Sequence, residues 1–205
     1  MGIVVGVDFD NTLLNYDDVF FHRALDLGLI NDSAVLHKRQ LRERIRLLPD
    51  GELLWQQIQA YVYTKGIVQA HLINGVKEFF ISCCREDVRT FIVSHKTMYA
   101  PVAPNQINLR ERALDWMKAN GFFDRMGMGL NITQVYFEST RKEKIERIKV
   151  LGCTHFIDDL QEVFLEDEFP SGVKKVLYSP DLEKPVRGDI VVADSWRKIH
   201  ECVFN

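Results

Sequence analysis

Residues 3–12 read Ile3-Val4-Val5-Gly6-Val7-Asp8-Phe9-Asp10-Asn11-Thr12: a short β-branched apolar run that ends in two carboxylates two positions apart. A run buried on both faces and closed by polar groups is the expected appearance of a parallel strand meeting its carboxyl-end loop. Comparable runs recur at residues 90–94, 134–137, 154–158, 174–178 and 189–192. Helical patterns lie between them. Residues 75–84 place Val76, Phe79, Phe80 and Cys83 at i, i+3, i+4 and i+7, and residues 109–120 stop at Gly121, a glycine suited to a C-cap. Residues 142–151 carry Ile145 and Ile148 on one face with Gly152 just beyond, and residues 195–203 form a last helix. This alternation predicts an α/β fold, a Rossmann-like three-layer sandwich with a mainly parallel sheet.

From 16 to 71 the alternation stops, and three helical patterns follow one another without a convincing strand. Asp17 or Asp18 is expected to cap the first, which carries Phe20, Ala24 and Leu27, and Asp32 or Ser33 the second, with Leu41, Ile45 and Leu48. Pro49, Asp50 and Gly51 form a turn before the third, which carries Leu54, Ile58 and Tyr61. The predicted organisation is a core of residues 1–15 and 72–205 with a helical cap, 16–71, inserted after the first strand. An insertion there is expected to act as a lid over the carboxyl ends of the strands, where open α/β sheets bind ligands.

Composition narrows the function classes. Of the 205 residues 46% are apolar and 27% charged, enough for a packed core in one domain with a modest insertion. Twenty-six Lys and Arg against 29 Asp and Glu give a formal charge of −3, which provides no global basic field and disfavours nucleic acid as a partner. No run of about 18 apolar residues suggests a membrane span, and the first strand lacks the cationic lead of a signal peptide, so a cytoplasmic location is expected. Cys83, Cys84, Cys153 and Cys202 form no CxxC pair and read as reduced thiols.

Four polar clusters fall at strand ends or helix starts. Asp8 and Asp10 leave the first strand together, and two acids so close ionise jointly only with a compensating cation or strong hydrogen bonds. The plain alternative is a polar turn with Asp10 capping a loop. Ser94 ends the second core strand, followed by His95, Lys96 and Thr97. A second acidic pair, Asp158-Asp159, ends the strand at 154–158. Carboxylates from two strand ends, with no Cys beside them, suit a hard, oxygen-bound cation, Mg²⁺ rather than Zn²⁺. In Ser139-Thr140-Arg141-Lys142-Glu143-Lys144, Lys142 lies three residues before Ile145, which predicts an inward-pointing ammonium there and an outward Lys144.

Taken in this order, DxDxT at the first strand, Ser at the second, Lys at a helix start and DD at a later strand, the chain resembles the haloacid dehalogenase-like superfamily of hydrolases. The resemblance spans almost the whole chain and includes the helical cap. It implies Asp8 as the nucleophile forming an aspartyl-phosphate and Asp10 as general acid and then base. It implies that Ser94 and Lys142 hold the phosphoryl oxygens, with the loop residues Phe9, Asn11 and Thr12 against the substrate. Mg²⁺ would be held by Asp8, the Asp10 carbonyl and Asp159, with Asp158 a neighbouring support. Asp10 separates phosphatases from the dehalogenase branch, in which no leaving alcohol needs a proton.

The resemblance thus implies a Mg²⁺-dependent phosphatase acting on a small phosphorylated metabolite, a nucleotide or sugar phosphate among them. A phosphotransferase to an acceptor other than water, a phospho-ligand-binding protein without turnover, and a nucleic-acid end phosphatase are the alternatives. His95 and Lys96 are placed to touch a leaving group. Five Lys or Arg in residues 37–46 either face a polyanionic substrate or form a solvated helix face, and Trp55, Tyr61 and Tyr63 either stack on a base or pack the cap. The segment 98–108, with Pro101 and Pro104, is an ordered loop near the site or a plain surface loop.

Overall fold

The computed structural model describes residues 2–31, 37–100, 107–181 and 188–205. In chain order the elements are β1 (Val4–Val7), β2 (Leu14–Asn15), α1 (Asp17–Asp26), α2 (Lys38–Arg46), α3 (Gly51–Thr64), β3 (His71–Leu72), α4 (Val76–Arg85) and β4 (Arg89–His95). There follow α5 (Leu109–Ala119), β5 (Val135–Glu138), α6 (Arg141–Val150), β6 (His155–Asp158), α7 (Gln161–Phe164), β7 (Lys174–Tyr178), β8 (Ile190–Ala193) and α8 (Trp196–Phe204). Six strands form one sheet in the order β5-β4-β1-β6-β7-β8, every pair parallel. The Rossmann-like α/β architecture expected from the alternation is present, and each of the six predicted core strands is found.

The chain divides into two compact units. One comprises Met1–Leu13, Leu72–Lys96 and Met117–Asn205, and the other Leu14–His71 with Thr97–Trp116. The helical unit therefore takes in Thr97–Trp116 as well as the insertion, a stretch that the sequence pattern assigns to the core. The proline pair of the segment 98–108 lies outside the described residues, as do Asp32 and Ser33.

In the sheet unit, strand alternation decides which side chains meet which layer. Val4 of β1 and Phe156 of β6 pack with Ile145 and Ile148 of α6 and Val163 and Phe164 of α7. On the opposite side Phe79 and Phe80 of α4 pack edge-on to each other, and Phe79 contacts Trp196 of α8 at 5.1 Å between ring centroids. Gly6 belongs to the first face: a Cβ there would lie 2.6 Å from the Phe156 ring, so glycine leaves the room that ring occupies. α5 ends at Ala119, and Gly121 beyond it has φ +75°, the left-handed conformation expected of its C-cap.

The helical unit has its own aromatic core. Phe20 of α1 stacks on Trp55 of α3 at 5.0 Å, and Tyr63 meets Tyr16 and Phe20 edge-on. Trp55 is buried, so packing accounts for it. Trp116 donates its indole N–H to the Ala70 carbonyl at 3.1 Å. The α1 cap differs from expectation: the N-cap is Tyr16, and Asp17 is the first helical residue. The Asp17 carboxylate instead accepts from the Lys38 backbone N–H and contacts the His37 ring, tying α1 to the start of α2. On α2, Arg39 pairs with Glu43 and Arg46 with Glu52, both exposed, while Lys38 donates to the Tyr63 hydroxyl.

Candidate active site

The site is built on the carboxyl ends of β1, β4 and β6 within the sheet unit. Asp8 follows β1 directly and donates its backbone N–H to Ile157 of β6 at 2.9 Å, which extends the ladder by one residue. Continuing the alternation of β1, Asp8 points to the face of Val4 and Gly6, and Asp158 to the face of Phe156. Both carboxylates thus meet α6. The chain then turns sharply: Asn11 has φ 56°, and Leu13 donates to the Phe9 carbonyl at 3.0 Å. Phe9 is fully buried, edge-on to Phe137 of β5.

Lys144, and not Lys142, supplies the buried ammonium. Its Nζ lies 2.5 Å from Asp8 Oδ1 and 2.7 Å from Asp158 Oδ2, and all three residues are buried. Lys142 is exposed. The expectation failed because it measured the helix face from Ile145 alone. With about 100° per residue, Lys144 is about 40° from Ile148 round the helix while Lys142 is about 120° away. The N-terminus of α6 is fixed by a capping box, in which Thr140 accepts from the Glu143 N–H and Glu143 accepts from the Thr140 N–H. That reciprocal pair sets the rotation that turns Lys144 inward.

A second lysine, Lys96, sits just past β4 with its side chain 4% exposed and contacts both oxygens of Asp10, at 3.0 and 2.7 Å. Its backbone N–H continues the β4–β5 ladder to the Glu138 carbonyl. Ser94, two residues earlier, is buried. His95 is exposed, and its Nε2 is 3.0 Å from the Ser139 carbonyl. Asn11 donates to Asp159 Oδ2 at 3.4 Å. Thr12 is buried, and its hydroxyl has no hydrogen-bond partner among the described residues, a cost of ~1–3 kcal/mol for a polar atom out of water. Its carbonyl accepts from the Trp196 indole at 3.0 Å, which anchors the loop.

Burial pushes the Asp8 carboxyl up to about 7 against the pull of Lys144, with repulsion from Asp158 and Asp10 adding to the rise. Burial works against the Lys144 charge too, but Asp158 and Asp8 outweigh it and hold the ammonium above the ordinary lysine range. The two directions are consistent, since one ammonium cannot neutralise two buried carboxylates. Asp8, Asp10, Asp158 and Asp159 share the cluster with Lys96 and Lys144, four acids to two lysines. Asp8, Asp158 and Asp159 each offer an oxygen within 4.8 Å of the others, an all-oxygen donor set that fits a hard divalent cation. Asp158 already uses Oδ2 on Lys144 and Oδ1 on the Leu160 N–H.

Solved structures resemble the chain along its whole length. A haloacid dehalogenase-like family hydrolase from Streptococcus pneumoniae superposes with a TM-score of 0.62 at 15% identity, covering 98% of each chain. The chain has the fold of the haloacid dehalogenase-like hydrolases. Protein Tyrosine Kinase A of Mycobacterium tuberculosis superposes with a TM-score of 0.65 at 12% identity, over 100% of this chain and 99% of the other. The HAD-hydrolase YfnB of Bacillus subtilis, solved bound to magnesium, gives 0.55 at 13% identity, over 100% and 99%. Neither a protein-family model nor a curated protein matches the chain. Among the described residues no helix is long and apolar enough to cross a membrane.

Structure thus joins Asp8, Lys144 and Asp158 in one set of contacts, with Asp159 close by, and Lys96 and Asp10 in another. Sequence reasoning missed Lys144. The signal that would have found it is the pairing of Lys144 with Ile148 at i, i+4.

Proposed function

We propose that the chain is a Mg²⁺-dependent phosphatase that hydrolyses a small phosphomonoester through an aspartyl-phosphate on Asp8. The observation that carries this reading is the buried Lys144 ammonium bridging Asp8 and Asp158 beside Asp159. A structural ion pair does not need four carboxylates on two lysines.

In the first step an Asp8 oxygen attacks phosphorus, the bond from phosphorus to the ester oxygen breaks, and Asp10 gives its proton to the departing alkoxide. In the second, water attacks the phosphorus of the aspartyl-phosphate, Asp10 takes the proton, and the bond to Asp8 breaks to release inorganic phosphate. Ser94 and the Lys144 ammonium donate to the phosphoryl oxygens, Lys144 taking the role expected of Lys142. The N–H groups of the turn from Phe9 to Thr12 add further donors. Asp8, the Asp10 carbonyl and Asp159 would hold Mg²⁺, with Asp158 beside them; when bound it supplies positive charge opposite the phosphoryl oxygens. That YfnB was solved with magnesium supports this choice of ion. The lid role expected of residues 16–71, and the cytoplasmic location, belong to the same proposal.

The same steps with an acceptor hydroxyl in place of water describe a phosphotransferase, and the shared fold of Protein Tyrosine Kinase A keeps that second reading in view. Phosphate release from a panel of phosphomonoesters, with Mg²⁺ and with chelator, separates them. A hydrolase releases inorganic phosphate in water alone, whereas a transferase passes the phosphoryl group to a supplied acceptor, read as phosphorylated acceptor in place of free phosphate. Silence under both conditions from the folded protein would overturn the reading.

A further inference from the structure

We propose that Lys96 is a positioning residue for Asp10, holding the carboxylate by both oxygens, and does not itself bind the leaving group. This rests on the phosphatase reading and deepens it.

Three features carry the inference. The Lys96 ammonium reaches both Asp10 oxygens, at 3.0 and 2.7 Å, where a single bond would leave the carboxylate free to rotate. The lysine is fixed at its other end by the β-ladder bond to Glu138, so the ammonium extends from a rigid strand end. Its side chain is only 4% exposed and its Nζ lies 5.5 Å from the centre of the fully buried Phe9 ring, so the charge sits against an aromatic face beside the Asp10 carboxylate.

The division of labour between the two lysines follows. Lys144 serves Asp8 and Asp158, while Lys96 serves Asp10. Asp10 stands just before a turn, with the left-handed Asn11 next to it, and such a loop does not fix a side-chain rotamer by packing alone. A proton carrier must stay within hydrogen-bond reach of both the leaving oxygen and the attacking water, and a displacement of about 1 Å costs up to ~100-fold in rate.

The test is a double-mutant cycle with Lys96→Met, Asp10→Asn and the pair, measured on the ester that the panel ranks first. Lys96→Met is expected to lower kcat by roughly 10- to 100-fold while KM moves less than about 3-fold. In the Asp10→Asn background the same change is expected to lower kcat no further. A KM raised about tenfold with kcat kept, or losses that multiply in the double variant, would overturn the proposal in favour of direct substrate contact. Lys96→Gln, which keeps a donor, completes the cycle where the Met variant does not fold. Should the wild type hydrolyse no ester, the phosphatase reading fails, and the urea midpoints of the same four proteins still decide the contact: non-additive shifts uphold it and additive shifts overturn it.

Discussion

The Lys144 ammonium lies 2.7 Å from Asp158 Oδ2, and the two side chains are 3% and 0% exposed. A pair so enclosed is costly to assemble and more costly to break, since removing one partner strands the other charge away from water. The lysine also contacts Asp8, so its loss strands two carboxylates.

Lys144→Met is therefore expected to destabilise the fold by ~3–5 kcal/mol, read as a lower urea midpoint, and to abolish phosphate release. Lys142→Met, on the exposed face, is expected to shift stability by less than about 0.5 kcal/mol and kcat by less than about 2-fold. Equal effects of the two substitutions would contradict the assignment.

Mg²⁺ is expected to raise the melting temperature, since an ion bound only by the folded state adds about 2.7 kcal/mol at a hundred times its Kd. Asp159→Asn is expected to remove most of that gain while leaving the metal-free melting temperature within a few degrees. Thermal unfolding with and without chelator reads both quantities.

Gly6→Ala tests the packing beneath the site. The added Cβ would meet the Phe156 ring at 2.6 Å and Cys153 Sγ at 3.0 Å, and both belong to the core. A loss of ~1–3 kcal/mol is expected from overpacking, measured by urea unfolding.

Burial pushes the Cys83 and Cys153 thiols up to about 12, so at pH 8 both remain protonated and unreactive. Their reactivity would rise only as the pH approaches that value. Iodoacetamide at pH 8, followed by peptide mapping, is expected to modify exposed Cys84 first, then half-buried Cys202, and to spare the buried pair until the protein unfolds.

The strands were legible because β-branched runs bounded by polar groups have few other readings, and the residues at their ends followed: Asp8, Asp10, Ser94, Asp158 and Asp159 are all described at or just past strand termini. Inward-facing lysines were less legible. Helix rotation near a terminus is set by the cap, and Thr140 with Glu143 turned Lys144, not Lys142, toward the sheet. The Lys96–Asp10 pair was illegible for another reason: its members are 86 residues apart, and no local pattern signals a contact across two strands. The attachment of Thr97–Trp116 to the helical unit was hidden similarly, since α5 has the apolar spacing of a core helix and only its packing partners assign it.

In the proposed mechanism Asp8 carries the phosphoryl group. Acid quench during turnover with Mg²⁺, followed by peptide mass mapping, tests it most directly, with Asp10→Asn used to slow hydrolysis of the intermediate. A phosphoryl group is expected on the peptide containing Asp8, absent from Asp8→Asn and from chelator-treated protein. Sustained phosphate release by Asp8→Asn at the wild-type rate would contradict it.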